Sequence, residues 1–277
     1  MAKPKTMPFI VIVPGAWCVA GHWEPFTTQL LKAKLDYEVV KLASVGMAAD
    51  PGNAMQTDAT LVADCLRTAM ANGRDTILIM HSYGGIPGSE AVGMISEELS
   101  TTPNIYRGKL QRLFYVMAQV PRKDEAPFAE VIEYGHPQIA IAVGVHLVQC
   151  HSYSNFSCTD HASIQDGLIR HVGSGANFFQ DLPADEAAHA VALMQPIAVS
   201  AFTQPVSHVG RTDHGIPCTY ITCTQDVSAP PGWSDPSIAK LREAGFDVRA
   251  RTIDGGHFPM LSRPEALLQM VRDDVEV

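Results

Sequence analysis

Ile77-Leu-Ile-Met-His-Ser-Tyr-Gly-Gly85 is an apolar run that stops at a serine followed one residue later by two glycines. A continuous apolar run of this length, begun at Thr76 and ending at Met80, predicts a fully buried strand. The small residues after it let the chain turn tightly into a helix, expected to run through Leu99. A serine in such a turn has a strained backbone, and its hydroxyl stands above the sheet edge at a helix N-terminus. Backbone N–H groups there favour a developing negative charge. This is the layout of a nucleophile elbow, with Ser82 as the nucleophile. The pattern reads Met80-x-Ser82-x-Gly84, so a methionine holds the position where small residues are normally required. Bulk there has to find room against the following helix or the neighbouring strand.

Outward from the elbow, strand and helix patterns alternate. Phe9-Ile-Val-Ile-Val13 reads as a buried strand entering a turn at Pro14-Gly15. Helical spacing follows over Glu24 to Lys34, and a second strand over Tyr37 to Leu42. Asp58 to Asn72 carries an apolar stripe at Leu61, Val62, Cys65, Leu66 and Ala69 and ends at Gly73. Lys109 to Val120 reads as a strand closed by Pro121. After residue 213 the rhythm resumes with a strand over Cys218 to Cys223, a helix over Ser237 to Ala244, a strand over Phe246 to Ile253 and a helix over Pro264 to Val275. Alternating β and α segments with continuously apolar strands predict an α/β fold with a mostly parallel central sheet covered by helices on both faces.

Between Arg122 and Asp213 the alternation breaks, and Pro, Gly, Ser and His become frequent. Asp181 to Leu193 is a clear helix inside this stretch, with Pro183 early and an acidic first turn. The expected organisation is a core over residues 1–121 and 214–277, with 122–213 inserted as a mostly helical cap; at roughly ninety residues the insertion has the size of a small subdomain. In open α/β sheets ligands bind beyond the C-terminal strand ends, which is where such a cap would close.

Two further residues follow apolar strands. His257 lies in Asp254-Gly-Gly-His-Phe258, just past the strand ending at Ile253, and Asp226 lies in Thr222-Cys-Thr-Gln-Asp226, just past the strand ending at Cys223. An imidazole titrates near neutral pH and suits the role of general base; a carboxylate can fix its tautomer. Taken singly, each residue has a plain structural explanation: Ser82 as a helix cap, His257 as a solvent-facing loop residue, Asp226 as a turn residue. Jointly, the chain order Ser82, Asp226, His257, each after a strand, is the order used by one class of serine hydrolases. Two backbone donors for an oxyanion are then expected from Tyr83, which follows the nucleophile, and from Ala16 in Val13-Pro-Gly-Ala-Trp17, where Gly15 permits close approach.

The motifs VPGAW, HSYGG, TQD and GGHFPMLSRPEAL resemble those of the α/β-hydrolase superfamily, and within it the small esterase and hydroxynitrile-lyase branch. That branch carries Gly-His-Ser-x-Gly-Gly, His-Gly-Ala and His-Met-Pro-Met-Leu-Ser-x-Pro, and the pattern of matches extends over nearly the whole chain, weakest in the insertion. There Asp181-Leu-Pro-Ala-Asp-Glu-Ala187 resembles the start of the branch's cap helix. The resemblance implies an α/β-hydrolase fold with Ser82 as nucleophile, His257 as base, Asp226 as acid, and Ala16 and Tyr83 as oxyanion donors. Met80 and Pro14 depart from the motifs, replacing a Gly and a His. The hydroxynitrile lyases carry Thr where this chain has Gly15, and Lys where it has Phe258. Both functional groups are missing here, which favours ester hydrolysis.

Composition narrows the rest. The 277 residues carry 20 basic and 29 acidic side chains, a formal charge of −9, with 46% hydrophobic, 18% charged and 7% aromatic residues. The absence of a basic run excludes nucleic acid and a polybasic membrane anchor as partners. No apolar stretch approaches the ~18 residues of a membrane span. The six cysteines form no CxxC pair and no disulfide framework, so the default is a cytoplasmic protein with reduced thiols.

Eight of the eleven histidines, from His136 to His214, fall in the insertion or at its edge. Cys158-x-x-His161 with Asp160, and Asp213-His214, offer isolated metal-ligand spacings without partners; no metal and no cofactor are expected. Ser152 lacks the following glycines of an elbow, and Asp124 is a reserve acid. The expected enzyme is a serine hydrolase acting through an acyl-enzyme on a small, largely apolar or aromatic carboxylic ester, thioester or lactone, with Gly15, Trp17 and Phe258 near the substrate. A lyase, cyclase or isomerase using the same site, a ligand-binding receptor on a hydrolase scaffold, and a metal enzyme centred on the insertion's histidines are the alternatives. A homodimer is left open.

Overall fold

The apolar runs of the sequence become the strands of one parallel sheet. The computed structural model describes residues 7–126, 161–208, 215–229 and 232–275. In chain order the core opens with β1 (Phe9–Val13), α1 (Glu24–Lys32), β2 (Tyr37–Val39), α2 (Ala54–Ala71), β3 (Thr76–His81), α3 (Gly85–Thr101) and β4 (Leu110–Val116). The inserted stretch follows with β5 (His161–Gln165), β6 (Leu168–Val172), α4 (Ala184–Leu193), β7 (Ile197–Ala198) and α5 (Ser200–Thr203). The core then resumes with β8 (Cys218–Cys223), α6 (Ser234–Glu243), β9 (Val248–Ile253), α7 (Pro259–Ser262) and α8 (Pro264–Val275).

The six-stranded sheet has the order β2-β1-β3-β4-β8-β9, and every neighbouring pair is parallel. All strands therefore end on the same edge; Val13 lies beside Met80, His81 beside Val116 and Cys223 beside Ile253. The chain builds β2 on one side of β1 and then crosses back to place β3 on the other. The crevice at this switch point, beyond the ends of β1 and β3, is where open α/β sheets bind ligands. Helix α1 packs on α8, and α2 packs on α3. Right-handed crossovers require opposite faces for connections that run in opposite directions along the sheet.

The central strand β3 is buried along its whole length, with Ile77, Leu78, Ile79 and Met80 at 0% exposure. Burial of each such side chain contributes about 1.5–3 kcal/mol, so the strand is a rigid support for the residue that follows it. Strand β4 is shorter than the run Lys109 to Val120 suggests. Met117 turns away with φ 41°, and the Gln119 N–H donates to the Ser82 carbonyl at 3.0 Å instead of pairing along the sheet. Its apolar residues continue past the strand because they are buried in a loop against the elbow: Ala118 and Val120 are at 0% and 3%.

Within the insertion, α4 lies where the acidic first turn placed a helix, starting at Ala184. Beside it is a small antiparallel sheet, β5-β6-β7, which the helical reading of this stretch did not foresee. Its strands are two to five residues long, too short to show a period in the sequence. The chain enters and leaves this stretch side by side: Asp124 N–H donates to Val206 O at 2.8 Å, and Val206 N–H to Glu125 O at 3.1 Å. No helix among the described residues is long and apolar enough to cross a membrane.

Candidate active site

The end of β3 turns at once into the helical segment that becomes α3, and Ser82 stands at the joint with φ 51°. A non-glycine residue rarely adopts this left-handed region, and the strain persists only where the surroundings over-determine it. Here they do. A β-carbon on Gly84 would lie 2.5 Å from the carbonyl oxygens of Val13 and Pro14, and one on Gly85 would lie 2.1 Å from the Gln119 carbonyl oxygen. Only glycines let the turn press this closely between the ends of β1 and β4. Met80 is accommodated by a third glycine, Gly88, whose bare α-carbon faces the methionine sulfur.

The loops after β8 and β9 bring the other two residues to the same edge. His257 Nε2 lies 3.0 Å from Ser82 Oγ, and His257 Nδ1 lies 2.6 Å from Asp226 Oδ2. Asp226 Oδ1 accepts from Ser228 N–H at 2.8 Å, Ser228 Oγ–H at 2.7 Å and Ala229 N–H at 3.2 Å. The carboxyl of Asp226 is 2% exposed and the imidazole of His257 is 5% exposed. Burial pushes the Asp226 carboxyl up, but the neighbouring His257 and the donors of Ser228 outweigh it, and the net direction is down. Asp226 is thus a carboxylate at neutral pH, with one oxygen committed to His257. Asp124, the reserve acid, uses its N–H to bond Val206, while the Nδ1 side of His257 is taken by Asp226.

His81, adjacent to the serine, was not singled out by sequence reasoning. It is fully buried; its Nε2–H donates to the His257 carbonyl oxygen at 2.8 Å, and its ring centroid lies 4.9 Å from those of His257 and Phe258. Burial, followed by the nearby His257, holds its pKa well below the ordinary histidine value, so the ring is neutral. It pins the backbone of the residue whose side chain reaches Ser82.

Gly15 lies over His81 and Ser82, close enough that a β-carbon would come 3.1 Å from Ser82 Cβ. Ala16 and Tyr83 are buried at the ends of β1 and β3. The Tyr83 side chain points away into the core, where its hydroxyl donates to Asp58 Oδ2 at 2.8 Å; Asp58 Oδ1 accepts from Ser44 N–H at 3.0 Å. Trp17, with φ 61°, donates Nε1–H to the Ile169 carbonyl of β6 at 3.0 Å, tying the loop after β1 to the insertion. Phe178 of the insertion fills the space between them: its ring centroid is 5.8 Å from Trp17, 5.8 Å from His257 and 6.0 Å from Phe258. Phe258 is buried within a cluster that includes Phe179 and His22, at 4.6 and 6.1 Å. Phe178 and Phe179 carried no local signal, because an FF pair in an irregular stretch reads equally well as core.

Burial pushes the thiols of Cys18 and Cys223 up, so neither offers a thiolate beside Ser82. Among the described residues no group of three His, Cys, Asp or Glu side chains could hold a metal ion. Ser152, Cys158, Asp160, Asp213 and His214, and the side chain of His161, lie outside the described residues.

The model of the Alpha/beta hydrolase family matches residues 10–270. The chain belongs to this family. The hydrolase is 27% identical over 269 residues to "Alpha/beta hydrolase nvfD" of Aspergillus novofumigatus, covering 96% of both chains. It is 23% identical over 271 residues to "Probable hydrolase R7" of a Phoma species, covering 97% of this chain and 98% of that one. Among solved structures, a pyrethroid hydrolase from Sphingobium faniae superposes with a TM-score of 0.69 at 19% identity, covering 98% of each chain. Polyneuridine aldehyde esterase superposes at 0.67 and 17% identity, covering 97% of this chain and 99% of the other. At these identities the solved structures bear on the fold of this hydrolase: a mostly parallel sheet flanked by helices.

Proposed function

We propose that the protein is a serine hydrolase that cleaves a small, largely apolar or aromatic carboxylic ester, thioester or lactone through an acyl-enzyme. The observation that carries the reading is the unbroken hydrogen-bonded chain Ser82 Oγ, His257, Asp226, at 3.0 and 2.6 Å, with the serine held in a left-handed turn at a helix N-terminus. Esterase and pyrethroid hydrolase among the names of the structural neighbours agree with it.

His257 Nε2 takes the Ser82 hydroxyl proton as Oγ attacks the ester carbonyl, while Asp226 accepts from Nδ1–H and stabilises the imidazolium that results. The carbonyl oxygen becomes an oxyanion and accepts from the backbone N–H groups of Ala16 and Tyr83. Collapse expels the alcohol, which receives the proton from His257. Water then attacks the acyl-enzyme, His257 takes its proton, and the second tetrahedral intermediate breaks to release the acid and return the proton to Ser82. The described part of the cap, residues 161–208, lies on the acyl-group side of the site, where Trp17, Phe178 and Phe258 give an aromatic lining suited to flat or apolar acyl groups. We place the enzyme in the cytoplasm on the strength of its cysteine pattern.

The test is mass spectrometry after a fluorophosphonate probe, with p-nitrophenyl ester hydrolysis in heavy-oxygen water alongside. A single adduct on Ser82, absent in Ser82→Ala, and one solvent oxygen in the released acid are expected. A folded protein that takes no adduct refutes the activated serine. An adduct without ester turnover would move the reading to non-hydrolytic chemistry at the same serine.

A further inference from the structure

We infer that Gln180 and Asp181, two consecutive residues at the entry to cap helix α4, are positioning residues that clamp both catalytic loops and so make seating of the cap a condition for the triad's geometry. This rests on the hydrolase reading above. Gln180 donates Nε2–H to the carbonyl oxygen of Gln225, the residue before Asp226, at 2.5 Å. Asp181 Oδ2 accepts from the N–H of Gly256, the residue before His257, at 2.6 Å. One dipeptide of the insertion therefore holds the peptide next to the acid and the peptide next to the base.

The contact is closely built. A β-carbon on Gly256 would lie 2.6 Å from Asp181 Oδ1 and 2.8 Å from Gln180 Nε2, so a larger residue there would push these two side chains out of their bonds to the loops. This explains the second glycine of Asp254-Gly-Gly-His257 better than a turn does: φ at Gly256 is not in the left-handed region, and the residue is needed for space. Beneath the clamp the two loops also bond each other, with Gln225 N–H donating to Gly255 O at 3.0 Å and Gln225 Nε2–H to Asp254 Oδ1 at 3.1 Å. These bonds keep the loops together in the core. The bonds from Gln180 and Asp181 link this pair of loops to the cap.

Removing Asp181 takes the acceptor from the Gly256 N–H at a buried residue and frees that peptide to rotate toward another partner. Rotation there moves the His257 ring relative to Ser82 Oγ. A displacement of about 1 Å at a reacting group costs on the order of 100-fold in rate. The clamp touches neither the acyl group nor the oxyanion, so its loss falls on kcat and leaves KM in place. Asp181→Asn keeps one oxygen acceptor for the Gly256 N–H while replacing the other oxygen by an amide NH2 and removing the charge.

The experiment compares wild type, Asp181→Ala, Asp181→Asn and Gln180→Ala for the rate of fluorophosphonate labelling at Ser82 and for p-nitrophenyl acetate kinetics. Unfolding is followed in parallel. Asp181→Ala is expected to lose about 10- to 100-fold in labelling rate and kcat with KM within about twofold; Asp181→Asn is expected to recover most of it. Gln180, on an exposed part of the loop, provides the second variant if Asp181→Ala fails to fold, and its loss is expected in the same direction. Wild-type labelling rates in Asp181→Ala and Gln180→Ala would overturn the proposal, as would an Asp181→Asn no better than Asp181→Ala, or a rise confined to KM. The His257 Nδ1–H proton resonance separates this from the hydrolase reading. If wild type neither labels nor turns over, the hydrolase reading fails. The clamp then still predicts that the resonance shifts or broadens in Asp181→Ala and not in Asp181→Asn. An unchanged resonance in both sinks it.

Discussion

Met80 and Gly88 share one space: a β-carbon on Gly88 would sit 2.4 Å from the Met80 sulfur and 2.7 Å from its γ-carbon. The elbow therefore keeps its packing by exchanging sizes. The bulk that entered at the end of β3 is matched by a glycine one turn into α3, on the helix face that covers the strand. Gly88→Ala should overpack this contact and cost about 1–3 kcal/mol, and Met80→Ala should open a cavity worth about 2–5 kcal/mol. Since the two residues touch, the double variant should cost less than the sum by about 0.5–3 kcal/mol. Urea unfolding of the four proteins checks this; strict additivity would show that the two side chains do not share the space.

Loss of the reacting groups should be graded. Ser82→Ala and His257→Ala are each expected to lower kcat by about 10⁶-fold, since either one removes half of the proposed nucleophile–base unit. Asp226→Asn should cost about 10⁴-fold, because His257 then presents the wrong tautomer. Steady-state kinetics on one p-nitrophenyl ester would rank them. An Asp226→Asn enzyme within tenfold of wild type would mean that the bond to His257 Nδ1 contributes little.

Tyr83 separates backbone from side chain. Its proposed role uses only its N–H, whereas its hydroxyl serves Asp58 in the core at 2.8 Å. Asp58 and Tyr83 are both buried away from solvent, and burial pushes the Asp58 carboxyl up and the Tyr83 phenol well up. Tyr83→Phe should reduce stability by about 1–3 kcal/mol by leaving a buried oxygen short of a donor, and kcat should stay within a few-fold. A hundredfold loss of kcat with stability intact would contradict the assignment.

Stability should fall in mildly acidic solution. His81 and His22 have pKa values lowered by burial from the ordinary 6.5. Below that value the unfolded chain binds protons that the folded one refuses, so stability declines as pH falls. The slope from His81 alone reaches about 1.4 kcal/mol per pH unit. His208 works in the opposite direction, because Glu90 raises it and its contribution is present below pH 6.5 and lost as pH rises. Asp226 enters only in stronger acid, since its pKa lies below the ordinary 3.8. The difference between wild type and His81→Gln, measured by urea unfolding from pH 5 to 7.5, isolates the term; parallel curves would refute it.

The sheet was legible because its cause is local. Phe9–Val13 and Ile77–Met80 are apolar without interruption, Cys218–Cys223 is broken only by Thr219 and Thr222, and runs this short bounded by turn residues read as buried strands. The elbow was legible for the same reason, since tight turns demand glycine. Where loop residues are buried for tertiary reasons the sequence misleads: Met117 to Val120 look like strand and are a loop beneath Ser82. The short strands β5, β6 and β7 left no period to read.

By itself, then, the sequence determined the parallel α/β core and three strand-end residues suited to a serine nucleophile, a base and an acid, because strand burial and turn sterics are written within a few neighbouring residues. The meeting of those residues was decided only by tertiary structure. Ser82 and His257 are 175 positions apart and touch because parallel pairing puts every strand end on one edge. The same holds for His81 beneath the His257 carbonyl, Gly88 against Met80, and Gln180–Asp181 on the loops of Asp226 and His257. All of these except the Met80–Gly88 contact, which crosses the short strand–helix joint, join segments distant in the chain, and the energy of each depends on packing that no local pattern encodes.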